Sequence, residues 1–286
     1  EETKIFITST PHGMNHYYKF WTDAVNKRNG FLPMEYAWDS VPSRGKKWYD
    51  EQLEVLGDVK FSQEVLCEFL GSSNTLISGA KLRVLSYIEP LLSEHGLDIF
   101  ELPIPGHIYV MTVDPARGLG RDSSAFSIFD ATSQPFKQVA RYKNENISPL
   151  LLPSLVCVAG TRYNEAWVLV EINDNGQQIA DILEYDLEYN NIYKLEIDRG
   201  AKRISGGFRK SIVNGLRMTE PVKRMGCANL KTMIELDKLI IVDFDTISEL
   251  TTFCDQGNSY RADEGYHDDL AMTLVIFSWL VNQRIF

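Results

Sequence analysis

The sequence lacks the signatures of several common protein classes. Its four cysteines stand singly, with no CxxC pair and no zinc-type spacing to histidine, so we expect free, buried or partly buried thiols and a reducing compartment. No GxxxxGK[ST] phosphate loop occurs anywhere in the chain. The longest apolar stretch near the C-terminus, Leu270 to Val281, is too short to span a bilayer, so we expect no membrane role.

An excess of positive charge is also absent. The chain has 29 basic and 39 acidic residues and a net charge of -10, so as a whole it is not a basic nucleic-acid binder. A nuclease can still be acidic overall if its cationic groups cluster. Here they cluster at 199–217, where basic residues and glycines predict a hairpin or mobile loop suited to a phosphate backbone, or otherwise a solvated loop. The proposed DNA-binding residues are Arg199, Lys202, Arg203, Arg209, Lys210, Lys223 and Arg224.

The 286 residues have ordinary globular composition, with 44% hydrophobic and 24% charged residues. Three strand-like segments between 108 and 142, followed by alternating helix and strand patterns, predict a mixed sheet with helices packed on it. A turn or linker signal at 71–74 places a domain boundary near residue 75. Before it, the pattern predicts strands at 4–10 and 31–38 and helices at 47–56 and 61–70. Because the chain starts without Met on a strand-like run, we expect a fragment of a longer polypeptide.

Acidic residues stand at the ends of predicted elements. Asp114 and Glu171 each close an apolar strand, so their carboxylates would emerge side by side if the two strands are neighbours. Asp268 and Asp269 open the last predicted helix, where the helix dipole favours acids. Asp122 caps the turn after the first strand or lines the same cleft. Structural roles remain open, since Asp114 could cap a turn and the Asp268–Asp269 pair could cap its helix.

A cluster of two strand-end acids and one helix-start acid would be rich in oxygen ligands. Such a site suits Mg²⁺, for which Mn²⁺ is expected to substitute. Two ions roughly 3.5–4 Å apart can clamp the attacking and leaving oxygens of an in-line phosphodiester displacement, so no side-chain nucleophile is needed. The acids therefore predict metal-dependent phosphodiester hydrolysis, with two ions during catalysis.

Five groups of residues along the chain share the order of a known family. The groups are Thr8-Ser9-Thr10-Pro11-His12-Gly13 with Asn15-His16, Thr75-Leu76-Ile77-Ser78-Gly79, the turn from Val113-Asp114 to Asp122, Val170-Glu171-Ile172-Asn173, and Glu264-Gly265-Tyr266-His267-Asp268-Asp269-Leu270. Taken together they resemble the large terminase subunit of T-even-like tailed bacteriophages, the DNA-packaging motor protein. Each group alone is weak, whereas the ordered set covers nearly the whole chain.

The resemblance implies an α/β, RNase H-like fold of the RuvC and integrase type, with a mixed central sheet flanked by helices. It implies that residues 1–75 are the end of the packaging ATPase domain and a linker, and that residues 76–286 are the nuclease domain. Ser9-Thr10-Pro11 resembles the ATPase coupling motif, whose Walker elements would lie upstream. The family's catalytic acids carry over to Asp114, Glu171 and one of the Asp268–Asp269 pair. Asp269 is preferred, because in related nucleases the acid directly precedes the small and apolar residues of the helix, and Asp268 and the auxiliary acid Asp122 are further metal ligands.

The function implied is cleavage of concatemeric double-stranded DNA at the start and end of genome packaging, with low sequence specificity. The expected setting is the cytoplasm of the infected host, docked at the procapsid portal, with the upstream ATPase domain, portal protein and small terminase subunit as partners. One alternative is a DNA-gripping translocation module in which cleavage is secondary, although three converging carboxylates would repel phosphates unless metal is bound. Another is a RuvC-like junction resolvase, which has no need of Ser9-Thr10-Pro11.

Overall fold

Strands form one large sheet and two hairpins in the computed structural model, which describes residues 3–11, 13, 15–25, 27–69, 74–115, 123–198, 210–257 and 259–283. The strands are β1 Leu92–Glu94, β2 Leu97–Ile99, β3 Tyr109–Asp114, β4 Ser124–Asp130, β5 Phe136–Asn144, β6 Trp167–Val170, β7 Lys194–Asp198, β8 Lys210–Asn214, β9 Leu239–Ile240, β10 Phe253–Asp255 and β11 Tyr260–Ala262.

The large sheet has the order β1-β2-β5-β4-β3-β6, with β9 paired to β5 beside this path. The β3-β4-β5 meander predicted from the sequence is confirmed, with antiparallel pairing throughout. β6 joins β3 in parallel, and β9 joins β5 in parallel, so the sheet is mixed as expected. β3 and β6 are almost entirely buried because helices cover both faces, which explains why their sequences are continuously apolar.

Helices cover the two faces of the sheet and build two cores. The C-terminal helix is apolar on all sides and buried, as expected for a central helix between the sheet and a second helical layer. The opposite face is covered by the two helices that flank β6. The helices are α1 His16–Val25, α2 Lys46–Glu64, α3 Gly79–Val84, α4 Leu152–Arg162, α5 Gly176–Asp181, α6 Glu220–Glu235, α7 Phe244–Leu250 and α8 Asp269–Leu280, with a 3₁₀ turn at Trp38–Ser40 and a π-helical turn at Ile182–Asp186.

A buried polar network fixes the position of α8 along the sheet. Thr112 Oγ1 on β3 donates to the carbonyl of Thr273 at 2.8 Å, and Thr273 Oγ1 lies 2.8 Å from Ser127 Oγ on β4. All three residues are fully buried, so these polar groups have no access to solvent and strongly prefer this one register. The network therefore determines which residues of α8 lie opposite the end of β3.

The N-terminal part departs from the sequence-based expectations. The strands predicted at 4–10 and 31–38 are wrong, since neither segment pairs with a strand among the described residues. Ile5 and Phe6 are largely solvent-exposed, and an apolar run gains a strand conformation only from a partner that covers it. Two successive helices were predicted at 47–56 and 61–70, and the range of α2 does contain two, because Gly57 interrupts it with a non-helical φ of +69°.

The segment after the predicted boundary belongs to the main core. Leu76 and Ile77 are buried in the core on the α8 face, and the N–H of Leu76 donates to the carbonyl of Phe253 at 2.9 Å. The boundary near residue 75 itself stays a prediction. Cys227 and Cys254 are buried thiols, and Cys67 and Cys157 are partly buried thiols, as expected. None of the helices within the described ranges combines the length and apolar character needed to cross a bilayer.

Candidate metal centre

Asp114 and Glu171 lie side by side at one edge of the sheet. In the parallel register, Val113 of β3 is opposite Val170 of β6, and the Glu171 N–H donates to the Val113 carbonyl at 2.9 Å. The next residues, Asp114 and Glu171, are therefore on adjacent strands, which run about 4.8 Å apart in a sheet. Their carboxyl groups hydrogen-bond to each other. Such a bond needs a shared proton, because two ionised carboxylates have no donor.

Asp269 reaches the same edge through the register of α8. Asp114 lies two residues beyond Thr112 on β3, and Asp269 lies one helical turn before Thr273 on α8. The Thr112–Thr273 hydrogen bond thus brings Asp269 over Asp114. The Asp269 side chain is buried, and its carboxylate accepts a hydrogen bond from the backbone N–H of Ser123.

Asp268, the residue before α8, lines the same cleft. Its Oδ2 accepts a hydrogen bond from the N–H of Ala262 at 3.2 Å and lies 4.0 Å from Lys223 Nζ. Asp268 occupies the N-cap position of α8 and Asp269 its first turn, but the Asp268 side chain makes no capping hydrogen bond among the described residues. The first turn of α8 is instead satisfied by Glu249, whose Oε2 accepts from the Ala271 N–H at 2.9 Å.

The cleft is lined mainly by oxygen atoms, several of them buried. Among the described residues, none donates a hydrogen bond of standard geometry to Ser123 Oγ, Asn173 Oδ1 or Asp269 Oδ2, although Lys143 Nζ lies 3.3 Å from the last. Buried polar atoms normally have partners, so these three oxygens could serve as ligands of a cation or of its bound water. The lining residues are Asp114, Pro115, Ser123, Glu171, Asn173, Asp174, Met218, Lys223, Asp268, Asp269 and Met272.

This donor set fits a hard divalent cation, which prefers carboxylate, carbonyl and water oxygens. Among the described residues, no three carboxylate, imidazole or thiol groups are yet arranged so that they could hold a metal ion. Asp114 is paired with Glu171, and Asp269 with Lys143. A cation would have to replace the shared proton and draw these groups towards itself.

The electrostatics of the cleft are unfavourable for unbalanced negative charge. Burial raises the pKa of Asp114 well above its ordinary value, and the neighbouring Glu171, Asp269 and Asp268 raise it further. Burial also raises the pKa of Asp269, although Lys143 opposes this shift. The acids are therefore costly to ionise together, which is the condition that a bound cation relieves.

Two glycines allow the chain to pass close to Glu171. A Cβ atom at Gly176, the first residue of α5, would lie well under 3.0 Å from the Glu171 carbonyl oxygen. A Cβ atom at Gly215, whose φ is +102°, would lie 2.4 Å from the Val170 carbonyl oxygen. Both positions therefore exclude side chains, and together they fix the backbone around the end of β6.

Gly176→Ala should displace Glu171 and reduce metal binding, because the added methyl group collides with backbone rather than with a flexible side chain. We expect a loss of about 1–3 kcal/mol of unfolding free energy. Gly79→Ala is the matched control, since Gly79 also begins a six-residue helix but has no atom near its Cβ position. Thermal unfolding and Mn²⁺ titration of both variants test this, and equal behaviour of the two would contradict it.

The structure places the remaining predicted site residues unevenly. Lys223 lines the cleft, whereas Arg224 is exposed on α6 outside it. Lys210 begins β8, and its side chain is not among those described. The glycine-rich segment forms the β7-β8 hairpin at its described ends. The predicted site residues Asp122, Arg199, Lys202, Arg203 and Arg209 lie outside the described residues.

Sequence reasoning missed several residues of the cleft. Asn173 was named only as part of a family motif and not as a site residue, yet its side chain donates to the Met218 carbonyl at 2.9 Å and the residue lines the cleft. Lys143 and Glu249 were not singled out at all, although both lie behind Asp269. The available signal for Lys143 was its position on the inward face of a strand, where a lysine needs an acidic partner.

Comparison with known proteins agrees with this geometry. The family profile of the terminase RNaseH-like domain matches residues 111–277, a range that contains Asp114, Glu171 and Asp269. The chain belongs to the terminase RNase H-like domain family. A second profile, for the N-terminal part of the T4likevirus-type terminase large subunit, matches residues 1–84 of this terminase chain. The large terminase resemblance and the RNase H-like fold predicted from the sequence are thereby confirmed.

The terminase large subunits of Thermus phage G20c and Thermus virus P23-45 are each 24% identical over 290 aligned positions, covering 94% of this chain and 54% of the relative. The terminase chain thus spans about half the length of the curated relatives it matches. The magnesium-bound large terminase nuclease of phage G20c superposes with a TM-score of 0.54 at 19% identity, covering 72% of this chain and 97% of that one. The Thermus phage P74-26 nuclease domain gives 0.50 at 18%, covering 71% and 93%.

Proposed function

We propose that this chain is a metal-dependent DNA endonuclease that cuts double-stranded DNA during phage genome packaging. The observation that carries the proposal is the convergence of Asp114, Glu171, Asp268 and Asp269 on one oxygen-lined cleft. Its family membership and the nuclease activity named for its structural neighbours support the same activity. The metal ions bound in the G20c nuclease structures, magnesium, cobalt and zinc, support dependence on a divalent cation.

Asp114, Glu171 and Asp269 are the proposed metal ligands and catalytic acids, with Asp268 and Asp122 as further ligands. Mg²⁺ is the proposed cofactor, Mn²⁺ the substitute, and two ions the number present during catalysis. When bound, the ions would supply Lewis-acid stabilisation of the charge on the phosphodiester oxygens. Asp269 is preferred to Asp268 because it is the more buried of the two and the larger contributor to the raised pKa of Asp114.

Basic residues are proposed to contact DNA at two locations, inside the cleft and outside it. Lys223 lies within the cleft, where its ammonium group can contact a phosphate oxygen of DNA. The basic residues that stand between β7 and β8 in the sequence, Arg199, Lys202, Arg203 and Arg209, are proposed to bind the DNA backbone, together with Lys210 at the start of β8 and Arg224 on α6. The hairpin lies beside the site, since Leu216 just after β8 pairs with Glu171. Contacts of this kind give salt-dependent binding with low sequence specificity.

The setting of the activity is proposed from the family. Residues 1–75 would be the end of the packaging ATPase domain and linker, and 76–286 the nuclease domain. Its substrate would be concatemeric DNA, cut at the start and end of packaging in the infected host cytoplasm. The portal protein and small terminase subunit would be its partners at the procapsid. A gripping module without cleavage is disfavoured, because a cleft of four acids repels phosphates unless a cation is bound.

Plasmid cleavage with Mg²⁺, Mn²⁺ or EDTA tests the proposal. We expect nicking and linearisation with either metal and none with EDTA. Replacing Arg209 and Lys210 by alanine should weaken DNA binding and flatten its salt dependence, whereas unchanged binding would remove them from the interface. A folded wild-type chain that binds DNA but does not cleave it with either Mg²⁺ or Mn²⁺ would favour the gripping module.

A further inference from the structure

A partly buried lysine and a buried glutamate lie behind the acidic cleft, and the proposed chemistry uses neither. Lys143 is on β5, and Glu249 lies near the end of α7 with a side chain only 9% exposed. Asp114 pairs across the sheet with Ala125, which in turn pairs with Lys143. Residues paired in this way share a face of the sheet, so Lys143 points to the same side as Asp114, two strands away.

Lys143 divides its charge unequally between two carboxylates. Its Nζ donates a hydrogen bond to Glu249 Oε1 at 2.6 Å, whereas its distance to Asp269 Oδ2 is 3.3 Å. The short, charge-assisted bond to Glu249 is the stronger interaction. Although Asp269 Oδ2 is buried, no residue in the described part of the chain donates a hydrogen bond of standard geometry to it.

Glu249 is itself held in place by the helix that carries Asp269. Its second oxygen, Oε2, accepts from the Ala271 N–H at 2.9 Å. This N–H belongs to the first turn of α8, where backbone donors have no partner within the helix. Glu249 therefore connects Lys143 to the start of α8. Because Asp269 is in the same helical turn, the position of Glu249 is fixed relative to Asp269.

We infer that Glu249 is a positioning residue that draws Lys143 away from Asp269 and so leaves Asp269 Oδ2 open to a divalent cation. The inference rests on the proposed function, because it takes Asp269 to be a metal ligand. Lys143 is an internal counter-ion of the cleft acids. It competes with the metal for Asp269 when Glu249 does not hold its ammonium group. Without the charge of Glu249, its ammonium group would turn fully to Asp269.

Calorimetric titration of Mn²⁺ into four variants tests the inference. Glu249→Gln keeps the shape and an acceptor for the Ala271 N–H but loses the charge, so we expect its Mn²⁺ dissociation constant to rise about 10- to 100-fold. Lys143→Met removes the competing cation and should bind Mn²⁺ at least as tightly as the wild type. The double variant should regain most of the affinity lost in Glu249→Gln. Glu101→Gln is the matched control, because it releases Lys137 at the other end of β5 and should change nothing.

A merely structural role would give a different pattern. It would lower the melting temperature of Glu249→Gln without changing Mn²⁺ affinity. The double variant would then be less stable than either single variant. Weaker Mn²⁺ binding by Lys143→Met would also overturn the inference, and this variant decides the matter if Glu249→Gln does not fold. If the wild type and Glu249→Gln bind Mn²⁺ and cut DNA equally well, the inference is overturned but the proposed function is not. A wild type that neither binds Mn²⁺ nor cuts would overturn both proposals.

Discussion

Asp114→Asn should reduce DNA cleavage about 10³-fold or more, since several kcal/mol of transition-state stabilisation depend on the bound cation. The substitution keeps the shape of the side chain and removes the charge that would bind the metal. Glu171→Gln and Asp269→Asn should have effects of the same order, because the three carboxylates act on one site. Plasmid cleavage at saturating Mg²⁺, with circular dichroism to verify folding, measures the loss.

Asp130→Asn provides the control for this experiment. Asp130 also ends a strand of the same sheet, but β4 runs antiparallel to β3, so it lies at the opposite edge. Its carboxylate accepts from His107 Nδ1 at 2.6 Å and takes no part in the cleft. Cleavage by Asp130→Asn should stay close to that of the wild type. Retained cleavage by any of the three cleft variants would remove that residue from the site.

The same two substitutions should change stability in opposite directions when no metal is added. Burial and the neighbouring Glu171 raise the pKa of Asp114, so its ionised form opposes folding near neutral pH. Asp114→Asn should therefore raise the melting temperature of the metal-free protein, by about 2–6 °C for a gain of up to about 2 kcal/mol. Burial acts against the charge of Asp130, but hydrogen bonds from Thr132 and His107 outweigh it and lower its pKa. Asp130→Asn should therefore lower the melting temperature.

The dependence of stability on pH follows from the same shifts. The folded protein holds protons on Asp114 and Asp269 to higher pH than the unfolded chain does, so metal-free stability falls as pH rises through their folded-state pKa values. Scanning calorimetry of the metal-free wild type from pH 5 to pH 8 should show it, and Asp114→Asn should reduce the slope.

Mg²⁺ should make the wild type more stable than Asp114→Asn, which reverses the order expected without metal. A cation at 100 times its dissociation constant stabilises the folded wild type by about 2.7 kcal/mol, whereas Asp114→Asn gains much less. An equal response of both proteins to Mg²⁺, or a lower melting temperature of metal-free Asp114→Asn, would show that Asp114 does not carry the cost of an unfilled metal site.

Much of the fold and part of the cleft could be predicted from the sequence because the signals are local. Asp114 and Glu171 follow continuously apolar runs, and such runs form buried neighbouring strands. The start of α8 at Asp269 agrees with the prediction that Asp268 and Asp269 open the last helix, because an apolar stretch begins there. The strand predicted at 4–10 failed for the converse reason, since its apolar pattern needs a partner that the described chain does not provide.

The features of the site that could not be predicted from the sequence depend on contacts between residues far apart in the chain. Lys143 and Glu249 are 106 positions apart, and neither position carries a local motif. The close approach of Gly176 to Glu171 becomes evident only when α5 turns back over the end of β6. The Thr112–Thr273 hydrogen bond joins residues 161 positions apart, yet it decides which acid of α8 lies over Asp114.

Anomalous diffraction from crystals soaked in Mn²⁺ tests the metal site most directly. We predict an anomalous peak in the cleft, with carboxylate oxygens of Asp114, Glu171 and Asp269 as ligands at roughly the 2.1 Å typical of such hard cations. Occupancy should disappear in crystals of Asp114→Asn. A well-ordered wild-type crystal with Mn²⁺ bound elsewhere and no peak in this cleft would contradict a metal-dependent nuclease centred on these three residues.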